Sequence, residues 1–353
     1  MAISRSHNDV NRFVDHTATV SEMPNLYGLF NQMGLFTEVG IRSTFVQFWK
    51  EYHTVSLLPS APRGGRGFVK GKDKSADLFV LNTTFFKYAD HITSEDIQNY
   101  TQVSSTEEPL EETEANIVAD KLQIGREHFD QTIEYMKFNA VTGISVNPDG
   151  DVLANMFTEF GVTQDVVNFD LGNASSNITK HVSELKRIVA ANLKMGRNLT
   201  DLFLVVDKQF FDDYVNHADV VDRWNQYNNA GMQRNRDNLQ DFREWGAISV
   251  FEDRGLTLIE YNPEFTLPDG TTTNVLTAGE GIAIVPGFTG ANAIYRGYYA
   301  PSDKKSDANR PGNELNAWEY TDDRDTYTDI EMQSAPLFFN TRPGIAVKVT
   351  DQP

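Results

Sequence analysis

The apolar positions of the chain change period several times, and each change marks an element. Residues 44–58 and 77–88 (TFVQFW and DLFVLNTTFFKY lie within them) are rich in Phe, Val, Tyr and Thr and read as two strands. They are joined by PSAPRGGRGFVKGKDKSA, residues 59–76. A connection of about 18 residues with no structure of its own is unusual inside a compact domain, so the pair reads as a long projecting hairpin. The strongest helix signal follows it. Leu110, Val118, Leu122, Gly125, Phe129, Ile133, Met136 and Ala140 fall on one stripe, at steps of three and four after the first. Pro109 stands near the first turn beside Glu107, Glu108, Glu111 and Glu112, where proline and acids both favour a helix start. A helix over 109–142 is about 50 Å long at ~1.5 Å per residue, a spine with Gly125 as a point where it could bend.

Further along, GISVNPDGDVLA (143–154) and EFTLPDGTTTNVLT each place Pro-Asp-Gly between short apolar runs and predict hairpins. Residues 180–195 predict a helix with Val182, Leu185, Ile188, Val189 and Leu193 inward and Gly196 as its stop. LFLVV (202–206) predicts a buried strand, and Asp207 a cap on the helix KQFFDDYVNHADVV. AISVF, LTLIEY and GIAIVP add three strands, so that 178–300 reads as an α/β unit. Residues 302–328 are polar and loop-like, and the terminal IEMQSAPLFFNTRPGIAVKVT reads as strands whose natural partner is the 143–154 hairpin with the spine helix. The α/β unit is then an insertion into a discontinuous domain. Residues 1–38 form a polar, irregular arm with a short helix around 25–33, a segment that gains order by lying on something else.

At 353 residues the chain suggests two packed domains, or one with large extensions. With no cysteine it has no disulfide, no thiolate metal site and no cysteine nucleophile, which fits a reducing compartment. No apolar run approaches the ~20 residues that span a bilayer, and MAISRSHNDV lacks a signal-peptide core, so a cytosolic product and no membrane partner are expected. A formal charge of −19 argues against sequence-independent nucleic-acid binding, which depends on basic residues neutralising phosphates. That charge makes the 59–76 stretch conspicuous: Arg63, Arg66, Lys70, Lys72 and Lys74 face a single acid, Asp73.

The basic stretch resembles a phosphate-binding loop only superficially. Its spacing is one residue short, Asp73 replaces the Ser/Thr, and a strand follows in place of the helix whose N-terminus holds the phosphate. A charged hairpin tip with no further role and a contact with an acidic neighbour both remain open. No pair of the seven histidines has metal-ligand spacing. HITSED (91–96) places His91 near Glu95 and Asp96 but reads better as Thr93 or Ser94 capping a short helix. The acidic pairs Glu252-Asp253 and Asp322-Asp323 read as solvated turns, and RWNQYNNAGMQRNRDN, with Trp224, Tyr227, Arg234 and Arg236, as a packing or subunit contact. With no catalytic, cofactor-binding or metal constellation, the chain points to structural work and not to an enzyme.

The order of these parts, with QSAPL at 333–337, LFLVVDKQFFDDY, IEYNPEFTLPDGTTTNVLTAGEGIAIV and the Arg63-Gly64-Gly65 hairpin, resembles the tailed-phage major capsid proteins of the lambda-type E family. The resemblance spans nearly the whole chain. It implies an α+β, Hong Kong 97-like fold: an N-terminal arm (1–38), an extended loop (39–90), a peripheral domain (91–177 and 301–353) carrying the spine, and an inserted axial domain (178–300). It also implies self-assembly into hexamers and pentamers of an icosahedral shell around DNA, without sequence-specific binding. The partners it implies are a scaffolding protein, a portal and, in some relatives, a decoration protein, with assembly in the host cytoplasm. In such proteins the extended loop lies over a neighbouring subunit, which assigns Arg63, Arg66, Lys70, Lys72 and Lys74 to an inter-subunit contact. Some relatives link a loop lysine to an asparagine covalently, and Lys70, Lys72, Lys74 and Asn340 make that conceivable here. Two alternatives stand beside this reading: an encapsulin-like nanocompartment shell, and an unrelated α/β enzyme or binding module.

Overall fold

The computed structural model describes residues 13–23, 28–50, 77–99, 110–193, 199, 201–229, 240–288, 290, 293–324 and 326–352. The chain begins with strand β1 (Phe13–Asp15), helices α1 (Thr17–Glu22) and α2 (Leu29–Gln32) and strand β2 (Phe36–Gly40). The described root of the expected hairpin is β3 (Phe45–Lys50) and β4 (Asp77–Asn82); β5 (Phe86–Thr93) and α3 (Ser94–Asn99) lead to the spine, α4 (Leu110–Thr142). The hairpin β6 (Ile144–Val146) and β7 (Val152–Asn155) comes next, then α5 (Met156–Phe160) and β8 (Val166–Asn168). The α/β unit runs through α6 (Ile178–Leu193), β9 (Leu202–Val206), α7 (Lys208–Asn216), α8 (Ala218–Asn229) and α9 (Gln240–Glu244). It continues with β10 (Ser249–Asp253), β11 (Leu256–Glu260), β12 (Phe265–Thr266), β13 (Thr272–Thr273) and β14 (Glu280–Ile284). After the α/β unit come strands β15 (Tyr295–Tyr299), β16 (Asn316–Thr321), β17 (Tyr327–Ser334), β18 (Pro336–Asn340) and β19 (Lys348–Thr350).

Two sheets pack along the spine, each against a different part of its apolar stripe. A four-stranded sheet, β1-β16-β17-β5, covers the N-terminal half: Val118, Leu122 and Phe129 pack against Ile92, Leu315, Ile330 and Met332. Gly125 lies at the closest approach, where a Cβ would overlap the Met332 sulfur and press on the Tyr88 ring. The glycine on this stripe therefore serves close packing of sheet on helix. A three-stranded sheet, β18-β15-β2, lies against the C-terminal half, with Phe338 and Tyr295 in the same core as Ile133, Met136 and Ala140. Its other face carries Leu337 and Phe339, which pack beneath Val46 and Leu81 of the β3–β4 hairpin.

The α/β unit is built on a six-stranded sheet, β10-β11-β9-β14-β19-β8. β9 lies inside it, parallel to β11 and antiparallel to β14, as an all-apolar run of five requires if both faces are covered. Helix α6 buries Ile178, Val182, Leu185, Val189 and Leu193, and α7 buries Phe210, Phe211 and Tyr214. Asp207 caps α7 as its sequence position predicts, accepting from the Gln209 amide. The helix expected over 208–221 is instead two. His217 takes an extended conformation between them, its Nδ1 accepting from the Asp219 amide and its Nε2 facing the Asn173 carbonyl at 3.1 Å. A side chain that caps the second helix offers the backbone an alternative to continuing the first.

The terminal strands form no ladder with the β6–β7 hairpin. β18 does pack on the spine as expected, and the Ser145 hydroxyl of β6 donates to its Phe338 carbonyl at 2.5 Å. β17 lies between β16 and β5, β18 pairs with β15, and β19 joins the α/β sheet between β14 and β8. Every position of β18 is buried, so it belongs between two layers and not on a short surface hairpin. Two strands of the α/β sheet, β8 and β19, come from outside residues 178–300.

Candidate functional site

Arg63, Arg66, Lys70, Lys72 and Lys74 lie outside the described residues; the root of their hairpin does not. β3 and β4 form an antiparallel ladder from Phe45↔Asn82 to Lys50↔Asp77. Because side chains alternate across a strand, this register sorts the root into two faces. The inner face carries Val46 and Leu81, buried on Ala154, Met156, Leu337 and Phe339, and Phe79, stacked on Phe160 at 6.0 Å. The outer face leaves Phe45 40% and Val80 51% exposed, with Phe85 close by in sequence at 45%. The hairpin thus leaves the body with one apolar face covered and apolar residues open on the other.

A second polar feature has no counterpart among the residues that the sequence singles out. Arg126, Asp130, Glu134 and Lys137 are all buried on one side of α4, at spacings of four, four and three. Buried charges persist only when paired or hydrogen-bonded: Arg126, Asp130 and Lys137 are ion-paired, and Glu134 is hydrogen-bonded. The Arg126 guanidinium lies 2.8 Å from both Asp130 and Glu314. The Lys137 ammonium lies 2.7 Å from Glu38 on β2, which also accepts from the Tyr299 hydroxyl at 2.6 Å. Glu134 is fully buried and accepts from the Phe30 and Asn31 amides at 2.8 Å and from the Tyr261 hydroxyl at 2.6 Å. Burial pushes the Asp130 carboxyl up to about 6 against the pull of Arg126. It also pushes Glu134 up to about 6, opposed by the Tyr261 hydroxyl and the two amides. The repeat of charged residues beside the apolar stripe was the signal available in the sequence; it reads as a solvated face unless the surrounding sheets are known.

The remaining candidates resolve individually. His91 is exposed on β5, while Thr93 and Asp96 form the capping box of α3: the Thr93 amide donates to Asp96 at 2.8 Å and the Asp96 amide to the Thr93 hydroxyl at 3.3 Å. Those bonds hold the Asp96 carboxyl below its usual range. Among the described residues no group of three His, Asp or Glu could hold a metal ion, and no helix is long and apolar enough to cross a membrane. Asp253 is not the solvated turn residue expected. It accepts from the Tyr214 hydroxyl at 2.9 Å and from Arg223 at 3.0 Å, because the end of β10 packs against α7 and α8. Burial, together with the Asp253 charge, pushes the Tyr214 hydroxyl well above its ordinary value. Arg223 also bonds Thr179, a packing contact; Arg234 and Arg236 lie outside the described residues. Asn340 is fully buried in β18, its side-chain oxygen accepting from the Arg342 amide at 2.8 Å.

Comparison with known proteins covers nearly the whole chain. The sequence model of the family described as Phage major capsid protein E matches residues 14–351. The major capsid protein of Salmonella phage Felix O1 is 28% identical, over 95% of this chain and 95% of its own. That of Pseudomonas phage KPP10 is 26% identical, again over 95% of each. Among solved structures, a prophage chain of E. coli CFT073 assigned as a capsid protein has the same fold at a TM-score of 0.63. The two are 11% identical, over 96% of this chain and 99% of the other.

Proposed function

The chain belongs to the phage major capsid protein E family and is a structural subunit of the virion shell, with an α+β, Hong Kong 97-like fold; from that premise we propose how its parts divide the work of assembly. Residues 39–90 act as an extended loop whose tip, with Arg63, Arg66, Lys70, Lys72 and Lys74, rests on the acidic surface of a neighbouring copy. One observation carries this reading: the hairpin root buries its inner face and leaves Phe45 and Val80 open on the outer one. Apolar residues left open on a projecting hairpin suit a contact with another molecule. In a chain of charge −19 the surface offered by a second copy is acidic on average, so a basic tip is steered towards it and fixes its register.

In this reading residues 1–38 form the arm, 91–177 with 301–353 the peripheral domain, and 178–300 the axial domain that meets its copies around fivefold and sixfold centres. Heterologous contacts repeated by rotation close into such rings. The role is structural and not catalytic, and the enclosed DNA is held without sequence readout. A scaffolding protein, a portal and, where present, a decoration protein are the other partners.

The test replaces Arg63, Arg66, Lys70, Lys72 and Lys74 with Ser. The expected outcome is a chain with unchanged circular dichroism that yields fewer shells by electron microscopy, or shells that break at lower temperature. Shells of normal yield and heat resistance would overturn the loop assignment.

A further inference from the structure

Three segments far apart in sequence meet at Glu134, and each contributes both a polar group and an aromatic ring. The arm gives the amides of Phe30 and Asn31, which donate to the two carboxylate oxygens at 2.8 Å. The α/β unit gives Tyr261, whose hydroxyl donates to Glu134 at 2.6 Å and accepts from the Leu29 amide at 3.2 Å. The spine gives Glu134 itself and Phe138. The rings of Phe30, Phe138 and Tyr261 close a triangle, with centroids 4.8, 5.8 and 5.9 Å apart. Around it, the Asn31 side chain donates to the Asp130 carbonyl at 3.0 Å and the Tyr261 amide to the Val206 carbonyl at 3.2 Å. The arm, spine and central strand β9 are therefore tied to the same few atoms.

The backbone is shaped to this point. Gly28 has φ +90°, and a Cβ there would overlap the Glu134 carboxyl, so the glycine lets α2 present its first amides directly to the carboxylate. L side chains rarely adopt that φ, which makes the approach specific to glycine. The first amides of a helix lack intrahelical partners, and here a buried carboxylate from another element satisfies two of them.

We propose that Glu134, Tyr261 and the start of α2 form a three-way joint that makes the root of the arm, the spine helix and the α/β sheet open and close as one cooperative unit. Any rearrangement of the arm then begins N-terminal to Gly28, while residues 28–40 stay with the body. Glu134 and Tyr261 are positioning residues: they act through the elements they tie together.

Hydrogen exchange of the full-length chain, read by mass spectrometry on peptides covering 28–36, 128–140 and 256–263, tests this. Exchange reports the free energy of local opening, so segments that open together share one protection factor. Tyr261→Phe keeps the ring and removes only the hydroxyl. The expected result is an acceleration of about tenfold in all three peptides together, the equivalent of ~1.4 kcal/mol. Acceleration confined to 256–263 would overturn the joint. Glu134→Gln should reproduce the three-segment pattern, because its amide then faces the donating Asn31 amide. The double variant should exchange no faster than the faster single one, since groups acting as a unit are not additive. Additive effects would make the three contacts independent and defeat the proposal. If Glu134→Gln does not fold, the Tyr261→Phe pattern alone decides.

Discussion

Glu134 is a carboxyl that water does not reach, facing three donors and no cation within ion-pair distance among the described residues. Burial raises its affinity for a proton, to a value of about 6, more than the three hydrogen bonds lower it. A carboxyl whose value in the fold lies above that in the unfolded chain stabilises the fold most below the unfolded value. That contribution is lost as pH rises through 6. The shift from 4.5 to about 6 corresponds to about 2 kcal/mol at ~1.4 kcal/mol per unit. Glu134→Gln cannot titrate, so the melting temperature of the wild type should gain on that of the variant between pH 7.5 and pH 5. Parallel curves would mean that Glu134 is not the titrating group. Asp130 shifts in the same direction, so the variant should keep part of the pH dependence.

At the scale of elements, the spine helix is legible because seven stripe positions, Val118 to Ala140, repeat at steps of three and four, and the stripe faces two sheets. What spacing did not separate was the purpose of Gly125, since a glycine in a long helix reads equally as a bend or as a close approach. The Met332 side chain on β17 decides it. Gly125→Ala should destabilise the chain by about 1–3 kcal/mol through overpacking, although alanine favours helix over glycine by ~1 kcal/mol. With Met332→Ala added, the loss in a denaturant titration should be smaller than the sum of the two single losses. Two losses that simply add would show that the helix and sheet do not meet there. His217 teaches the same lesson on a smaller scale: the apolar spacing of KQFFDDYVNHADVV continues through it, but its ring caps α8 and divides the helix.

For the whole molecule, the terminal strands matter most. β17, β18 and β19 enter three different sheets, so the last stretch of chain stitches the four-stranded and three-stranded sheets to the α/β unit. Pairing between strands so far apart in sequence cannot be read from local pattern, which is why the β6–β7 hairpin looked like their partner. The same strands bear on cross-linking. Asn340 is fully buried in β18, which argues against its side chain as the acceptor for a lysine from another copy. Denatured particles should therefore run as a single band at the monomer mass on a gel. A ladder of multimers would contradict this and require a different acceptor.

By itself the sequence determined many of the elements: the hairpin strands, the spine and its stripe, the Asp207 and Thr93 caps, and the two Pro-Asp-Gly turns. Each depends on residues within a few positions of one another, where propensity and periodicity act directly. Strand β16 was not among them, since it lies within the stretch 302–328 that reads as a loop. The order of those elements also carried the resemblance to the capsid family. Tertiary structure alone decided which strands pair, which helix face is wet and which charges are buried. Arg126, Asp130, Glu134 and Lys137 look like a solvated stripe until β2, α2 and the 302–315 segment cover them. Burial is a property of what packs against a residue. Apart from the Arg126–Asp130 pair, four positions apart, the side-chain partners of these residues lie about 100 to 190 positions away in the chain, too far for any local pattern to carry.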